Sequence, residues 1–128
     1  MNELRHRSFE KELKAISKKY HQASKAVDDA MRMISEHFNP ENSIPIIDPG
    51  KLHHIADIRN SSVWKLELAI PNSGLRPSQW PRIWFAIESD TCAFLLLAVH
   101  TDNYDNNVKD REAISRFEEM RQSDDSFS

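Results

Sequence analysis

The apolar residues of this chain change period part-way along, and that change limits its fold more than any other feature. Up to residue 38 they recur at three- and four-residue steps, whereas from residue 63 they alternate or run unbroken. Phe9, Leu13, Ile16 and Tyr20, with Ser8 placed to cap them, predict a first amphipathic helix. Ala23, Val27, Ala30, Met31, Ile34 and Phe38 predict a second, from about Gln22 and ended by Asn39-Pro40. No Gly or Pro separates the two, so a tight helical hairpin is expected. Pro40, Pro45, Pro49 and Gly50 mark an irregular crossing segment over residues 39–51.

Val63 to Ile70 then alternates strictly. Trp64, Leu66, Leu68 and Ile70 point one way, and Val63, Lys65, Glu67 and Ala69 the other. Residues 71–81, from Pro71 to Pro81, form a long loop before a second strand at Arg82 to Ile87. A short turn at Glu88-Ser89-Asp90 leads into Cys92 to Val99, whose continuous apolar character suits a strand covered on both faces. Ile55 to Arg59 predicts a shorter, edge-like strand, and Val108 to Arg121 a last helix. Residues 2–7 are too polar for a convincing strand, and the sequence leaves their state open.

The expected fold is therefore α+β, an N-terminal helical hairpin packed on a three- or four-stranded antiparallel sheet with a C-terminal helix. The second sheet face is expected to be free for a partner or substrate. Residues 1–121 are read as a single domain and 122–128 as a disordered tail.

Composition removes several functions. Two glycines, Gly50 and Gly74, cannot write a dinucleotide fingerprint or a Walker loop, and one cysteine excludes an intrachain disulfide and cysteine-based zinc or Fe–S sites. The apolar run Cys92 to Val99 is too short to cross a bilayer, and the opening Met-Asn-Glu-Leu-Arg-His-Arg lacks a signal-peptide core. A cytoplasmic, reduced protein without a membrane partner is expected. The formal charge of −3 conceals an asymmetry, with residues 1–26 at +4, 27–100 at −3 and 101–128 at −4. The basic front reads either as a surface for phosphate or as the solvated face of an amphipathic helix.

In this order the elements resemble the RelE/ParE toxin superfamily of bacterial type II toxin–antitoxin systems. The resemblance runs over about residues 8–118. It begins at Ser8-Phe9-Glu-Lys-Glu-Leu-Lys-Ala-Ile16, similar to that family's opening F-x-K-x-L helix, and passes Gly50-Lys51-Leu52 and the charged strand Val63-Trp-Lys-Leu-Glu-Leu68. Pro81-Arg-Ile-Trp-Phe-Ala-Ile87 is similar to the family's Y-R-I-x-Y-x-I strand, followed by Phe94 to His100, Tyr104 and a helix with Ala113 and Phe117. The chain departs from the pattern in lacking a clear first strand and in its long 71–81 loop.

What the resemblance implies is a toxin that cleaves messenger RNA on the ribosome, by attack of a ribose 2′-hydroxyl on the adjacent phosphate. Its expected partners are a cognate antitoxin, the ribosome and mRNA, with no cofactor. The matching catalytic positions are Lys65, Glu67, Arg82, His100 and Tyr104, with Asp102 alongside; Glu67 stands where some RNA-cleaving relatives carry a second lysine. RNA contacts are expected from Lys11, Lys14, Lys18, Arg76 and Trp84. The alternatives are a ParE-like toxin that inhibits DNA gyrase without nuclease activity, and an inactive RelE-like binding module.

Elementary chemistry weighs these residues against blander roles. Lys65 and Glu67 share one strand face, where they either serve a phosphate or form a cross-strand ion pair of small worth. Arg82 suits two-pronged phosphate binding, and its competing role is a structural pair with Glu67. An unperturbed imidazole titrates at about 6.5, which suits a residue such as His100 to proton transfer, but His100 also suits a hydrogen-bonded strand end. Tyr104 suits stacking on a base or capping the sheet. His53 and His54 are adjacent on extended chain and cannot both face one site. His100 and Asp102 are too few to specify a metal, so none is expected. Trp64 and Trp80 read as anchors, and Trp84 as either core or a platform for a nucleobase.

Overall fold

A computed structural model describes residues 1–42, 44–99, 106–124 and 127. Its elements run β1 (Asn2–Arg5), α1 (Arg7–Lys19), α2 (Ala23–His37), β2 (Leu52–Ile58), β3 (Ser61–Glu67), β4 (Arg82–Glu88), β5 (Thr91–Ala98) and α3 (Asn106–Ser123), with a short 3-10 turn at Pro77–Gln79. The fold is α+β. Its sheet has five strands in the order β1-β5-β4-β3-β2, antiparallel from β2 to β5 and closed at one edge by β1, which lies parallel to β5.

That fifth, parallel strand corrects the expected purely antiparallel sheet of three or four. Residues 2–5 are held as an edge by backbone bonds, with the Asn2 N–H donating to Asp90 O at 2.7 Å and the His6 N–H to Phe94 O at 2.9 Å. An edge pairing of this kind requires little apolar content. Leu4 packs against the core, while the Arg5 guanidinium lies 5.7 Å from the Phe9 ring centre and 5.9 Å from that of Phe94. The β2 strand is longer than Ile55–Arg59 predicts, because a bulge between His54 and Ala56 breaks its alternation.

The second sheet face is not free. On the first face Phe9 and Leu13 of α1 and Val27 and Ile34 of α2 pack over Phe85 and Phe94. On the second, Ala113 and Phe117 of α3 are fully buried against Val63, Trp84, Ala86 and Leu95. Burial of a ring such as Phe117 contributes about 1.5–3 kcal/mol, enough to seat α3 firmly. The Phe127 ring packs edge-on against Phe117, with centroids 5.1 Å apart. The unbroken apolar run of β5 follows from this, since both of its faces are covered.

One ion pair completes the β5 edge. β1 stops at Arg5, opposite Phe94, while β5 runs on to Ala98. The exposed ladder groups are satisfied by side chains instead: the Leu97 N–H donates to Glu12 Oε1 at 3.1 Å, and Arg116 Nη1 donates to Leu95 O at 2.9 Å. Arg116 also binds Glu12 at 2.7 and 3.0 Å and Glu112 at 2.8 Å, so α1, α3 and the strand edge are tied together.

Candidate functional site on the α3 face of the sheet

Strand register brings the central candidates together. In β3 and β4, Lys65 lies opposite Trp84 and Glu67 opposite Arg82, so all four side chains share the face that α3 covers. His53 of β2 stands opposite Lys65 and extends this row to the sheet edge. His54 turns to the other face, its ring edge-on to Trp64 at 4.9 Å, as adjacent residues on a strand must.

Each charge in the cluster has a counter-charge. Arg82 Nη2 is 3.2 Å from Glu67 Oε1, and its Nη1 donates to the Trp80 carbonyl. Lys65 Nζ is 3.9 Å from Asp110 Oδ1 of α3 and 5.6 Å from the Trp84 ring centre. Asp110 Oδ1 also accepts the indole N–H of Trp84 at 2.8 Å. Lys65, Glu67 and Arg82 side chains retain 12, 21 and 13 % exposure, so the cluster is recessed but not sealed. Two cations and two carboxylates leave it without net charge.

The long loop before β4 is braced rather than loose. The Leu68 N–H donates to Pro81 O at 2.8 Å, and Arg76 caps the 3-10 turn, its own N–H donating to Gln79 Oε1 at 3.1 Å. Arg76 is exposed on this loop, apart from the cluster. Lys51 lies 5.4 Å from the Trp80 ring centre and its carbonyl accepts the Glu67 N–H at 3.1 Å, so a third cation flanks the site.

The other expected residues fall elsewhere. Trp84 has no exposed surface beneath α3, which closes its ring to a nucleobase in this arrangement. Lys11, Lys14 and Lys18 are exposed on α1, the helix that covers the opposite sheet face. His100, Asp102 and Tyr104 lie outside the described residues. Asp110 is the functional neighbour that sequence reasoning missed. An aspartate in the first turns of a helix is ordinary, and only tertiary packing sets it between Lys65 and Trp84.

Burial lowers the His6 imidazole from its ordinary 6.5, against a smaller opposing pull from Glu119. Burial also works against the charged form of Arg116, but the Glu12 and Glu112 carboxylates outweigh it and hold the guanidinium more firmly protonated. Burial pushes the Cys92 thiol well up, which leaves it a protonated core residue and no nucleophile. Among the described residues no group of three or more His, Cys, Asp or Glu could hold a metal ion, and no helix is long and apolar enough to cross a membrane.

Comparison with protein-family models, with curated proteins and with solved structures finds no match to this chain.

Proposed function

We propose that the protein is the toxin of a type II toxin–antitoxin module and a metal-independent, ribosome-dependent mRNA endoribonuclease, as its resemblance to the RelE/ParE superfamily implies. The observation that carries this reading is the adjacency of Lys65, Glu67 and Arg82 on one sheet face, at the end where Arg82 pairs with Ala98 of β5. In the proposed reaction the 2′-hydroxyl oxygen bonds to phosphorus, the 5′-oxygen leaves, and the two protons are handled by His100 and Tyr104. Arg82 grips the phosphate and Lys65 adds a second cation as charge builds on the phosphorane. Glu67 holds the guanidinium in place.

Expression without an antitoxin should arrest bacterial growth, and Arg82→Ala should relieve the arrest. Harmless expression of folded wild-type protein contradicts any toxin reading.

A second reading has its own support. The cluster carries no net charge, and an apolar groove of about 350 Å³ opens beside it, flanked by exposed Met33 and Ile46. A protein-binding toxin, ParE-like and directed at DNA gyrase, or an inactive binding module would use such a surface. Growth arrest with intact mRNA and induced DNA damage would select the gyrase-directed form.

A further inference from the structure

The charged groups of the sheet-face cluster are committed to one another. Arg82 is held by Glu67 and the Trp80 carbonyl, and Lys65 leans toward Asp110 of α3 and the Trp84 ring. A guanidinium and an ammonium can grip a phosphate, but they carry donors only. Attack by a 2′-hydroxyl also requires an acceptor for its proton within hydrogen-bond reach of the reacting oxygen. The two carboxylates are acceptors already engaged, Glu67 by Arg82 and Asp110 by the Trp84 indole and Lys65.

His53 is the acceptor left over. It stands opposite Lys65 in the register of β2 and β3, which sets its Cβ about 4.5–5.5 Å from that of Lys65 on the same face. It is exposed, and among the described residues no hydrogen bond, ion pair or ring contact engages it. α3 packs on β4 and β5, and Lys65 leans the same way, so His53 keeps an open margin of the face at β2. Arg82 in turn is drawn across β3 by Glu67, toward β2. At about 4.8 Å per strand, roughly 10 Å separates the backbones of β2 and β4, a gap that the two side chains and one phosphodiester fill.

The neighbouring histidine has no such freedom. His54 faces the opposite side, with its ring against Trp64 and its Nε2 2.8 Å from Asp57 Oδ1. Strand alternation therefore selects one imidazole of the two for the cluster.

We propose that His53 is a catalytic base of this site. It takes the proton of the 2′-hydroxyl as that oxygen bonds to phosphorus; the bond from phosphorus to the 5′-oxygen breaks, and the leaving oxygen takes a proton from His100 or Tyr104. The products are a 2′,3′-cyclic phosphate and a 5′-hydroxyl. Of the two proton transfers given above to His100 and Tyr104, the first thus passes to His53, whose exposed ring returns the proton to water. The assignment rests on the ribonuclease reading.

The test is single-turnover cleavage of a defined message on purified ribosomes, read by primer extension. His53→Ala should cut at least about 100-fold more slowly than wild type. Its denaturant midpoint should be unchanged, because the side chain supports no contact. Added imidazole should restore cleavage by His53→Ala in proportion to its concentration and should leave Arg82→Ala inactive. His54→Gln, which alters the other face, should cut as the wild type does. Cleavage by His53→Ala at the wild-type rate overturns the proposal, as does a loss that imidazole does not reverse. Should the wild type itself leave the message intact, the ribonuclease reading fails and the assignment with it; a wild type that cuts, beside a His53→Ala that cuts equally fast, fails the assignment alone.

Discussion

Arg82 meets Glu67 directly across β3 and β4, with Nη2 3.2 Å from Oε1, and its second nitrogen is held by the Trp80 carbonyl. The guanidinium is therefore fixed in orientation, as the role proposed for it, meeting charge that develops on a phosphate, requires. Because both side chains are partly exposed, the pair itself adds at most about 1 kcal/mol of stability. Glu67→Gln should thus fold normally and lose only part of its activity. Arg82→Ala should lose about 100-fold or more, and Arg82→Lys should fail to restore it, since an ammonium lacks the planar fork. Cleavage rates for the three variants, set beside their denaturant midpoints, test this ranking; equal loss in Glu67→Gln and Arg82→Ala would assign the carboxylate a direct role.

Asp110 serves Trp84 and Lys65 at once, accepting the indole N–H at 2.8 Å. Asp110→Ala removes that acceptor beneath α3 and should cost about 1–3 kcal/mol. Asp110→Asn, whose amide oxygen can still accept, should cost less while removing the charge beside Lys65. Urea unfolding followed by tryptophan fluorescence distinguishes them, and identical destabilisation would show that the indole bond is not what Asp110 supplies.

Glu12 and Arg116 stand in for the strand that β5 lacks beyond Phe94. Breaking the pair strands one buried charge, so Arg116→Met should destabilise by about 2–3 kcal/mol, below the full cost of a sealed pair because Glu12 is 26 % exposed. The Leu97 amide, which donates to Glu12, should exchange with solvent faster in Glu12→Ala than in the wild type. Unchanged exchange there would contradict this view of the edge.

His6 makes stability depend on pH. Its Nδ1 accepts the Ser8 N–H at 3.0 Å as the cap of α1, and its Nε2 faces Glu119 at 3.5 Å, which fixes the neutral tautomer with the proton on Nε2. Because its folded value lies below the ordinary 6.5, the unfolded chain takes up a proton on acidification that the folded chain refuses. Stability should therefore fall as pH drops below about 6.5 and level off below the lowered value. His6→Asn, which can still cap but does not titrate, should flatten this part of the profile; a wild-type profile that matches it would remove His6 as the cause.

The legible parts of the fold are those where local pattern and tertiary role coincide. The three- and four-residue steps of Phe9 to Tyr20 and Ala23 to Phe38 locate α1 and α2, and the alternation after Val63 locates β3. β1 was illegible because backbone bonds to β5 hold it, and its polar side chains carry no period. The cover over the second face was legible in β5 and not in α3: Cys92 to Val99 requires burial on both sides, yet α3 contributes the fully buried Ala113 and Phe117 with the partly buried Met120 to that cover and otherwise reads as a polar helix. In the site, register was readable, since alternation placed Lys65 and Glu67 on one face. The pairing of Lys65 with Asp110, 45 residues along the chain and on another element, has no local signature.

If the Lys65–Arg82 cluster cuts translated mRNA, as proposed, primer extension on a message translated in a cell-free system with purified protein detects it directly. Wild type should give new 5′ ends within codons, only while ribosomes are engaged, and Arg82→Ala should give none. A message left intact by folded wild-type protein on active ribosomes would contradict the claim.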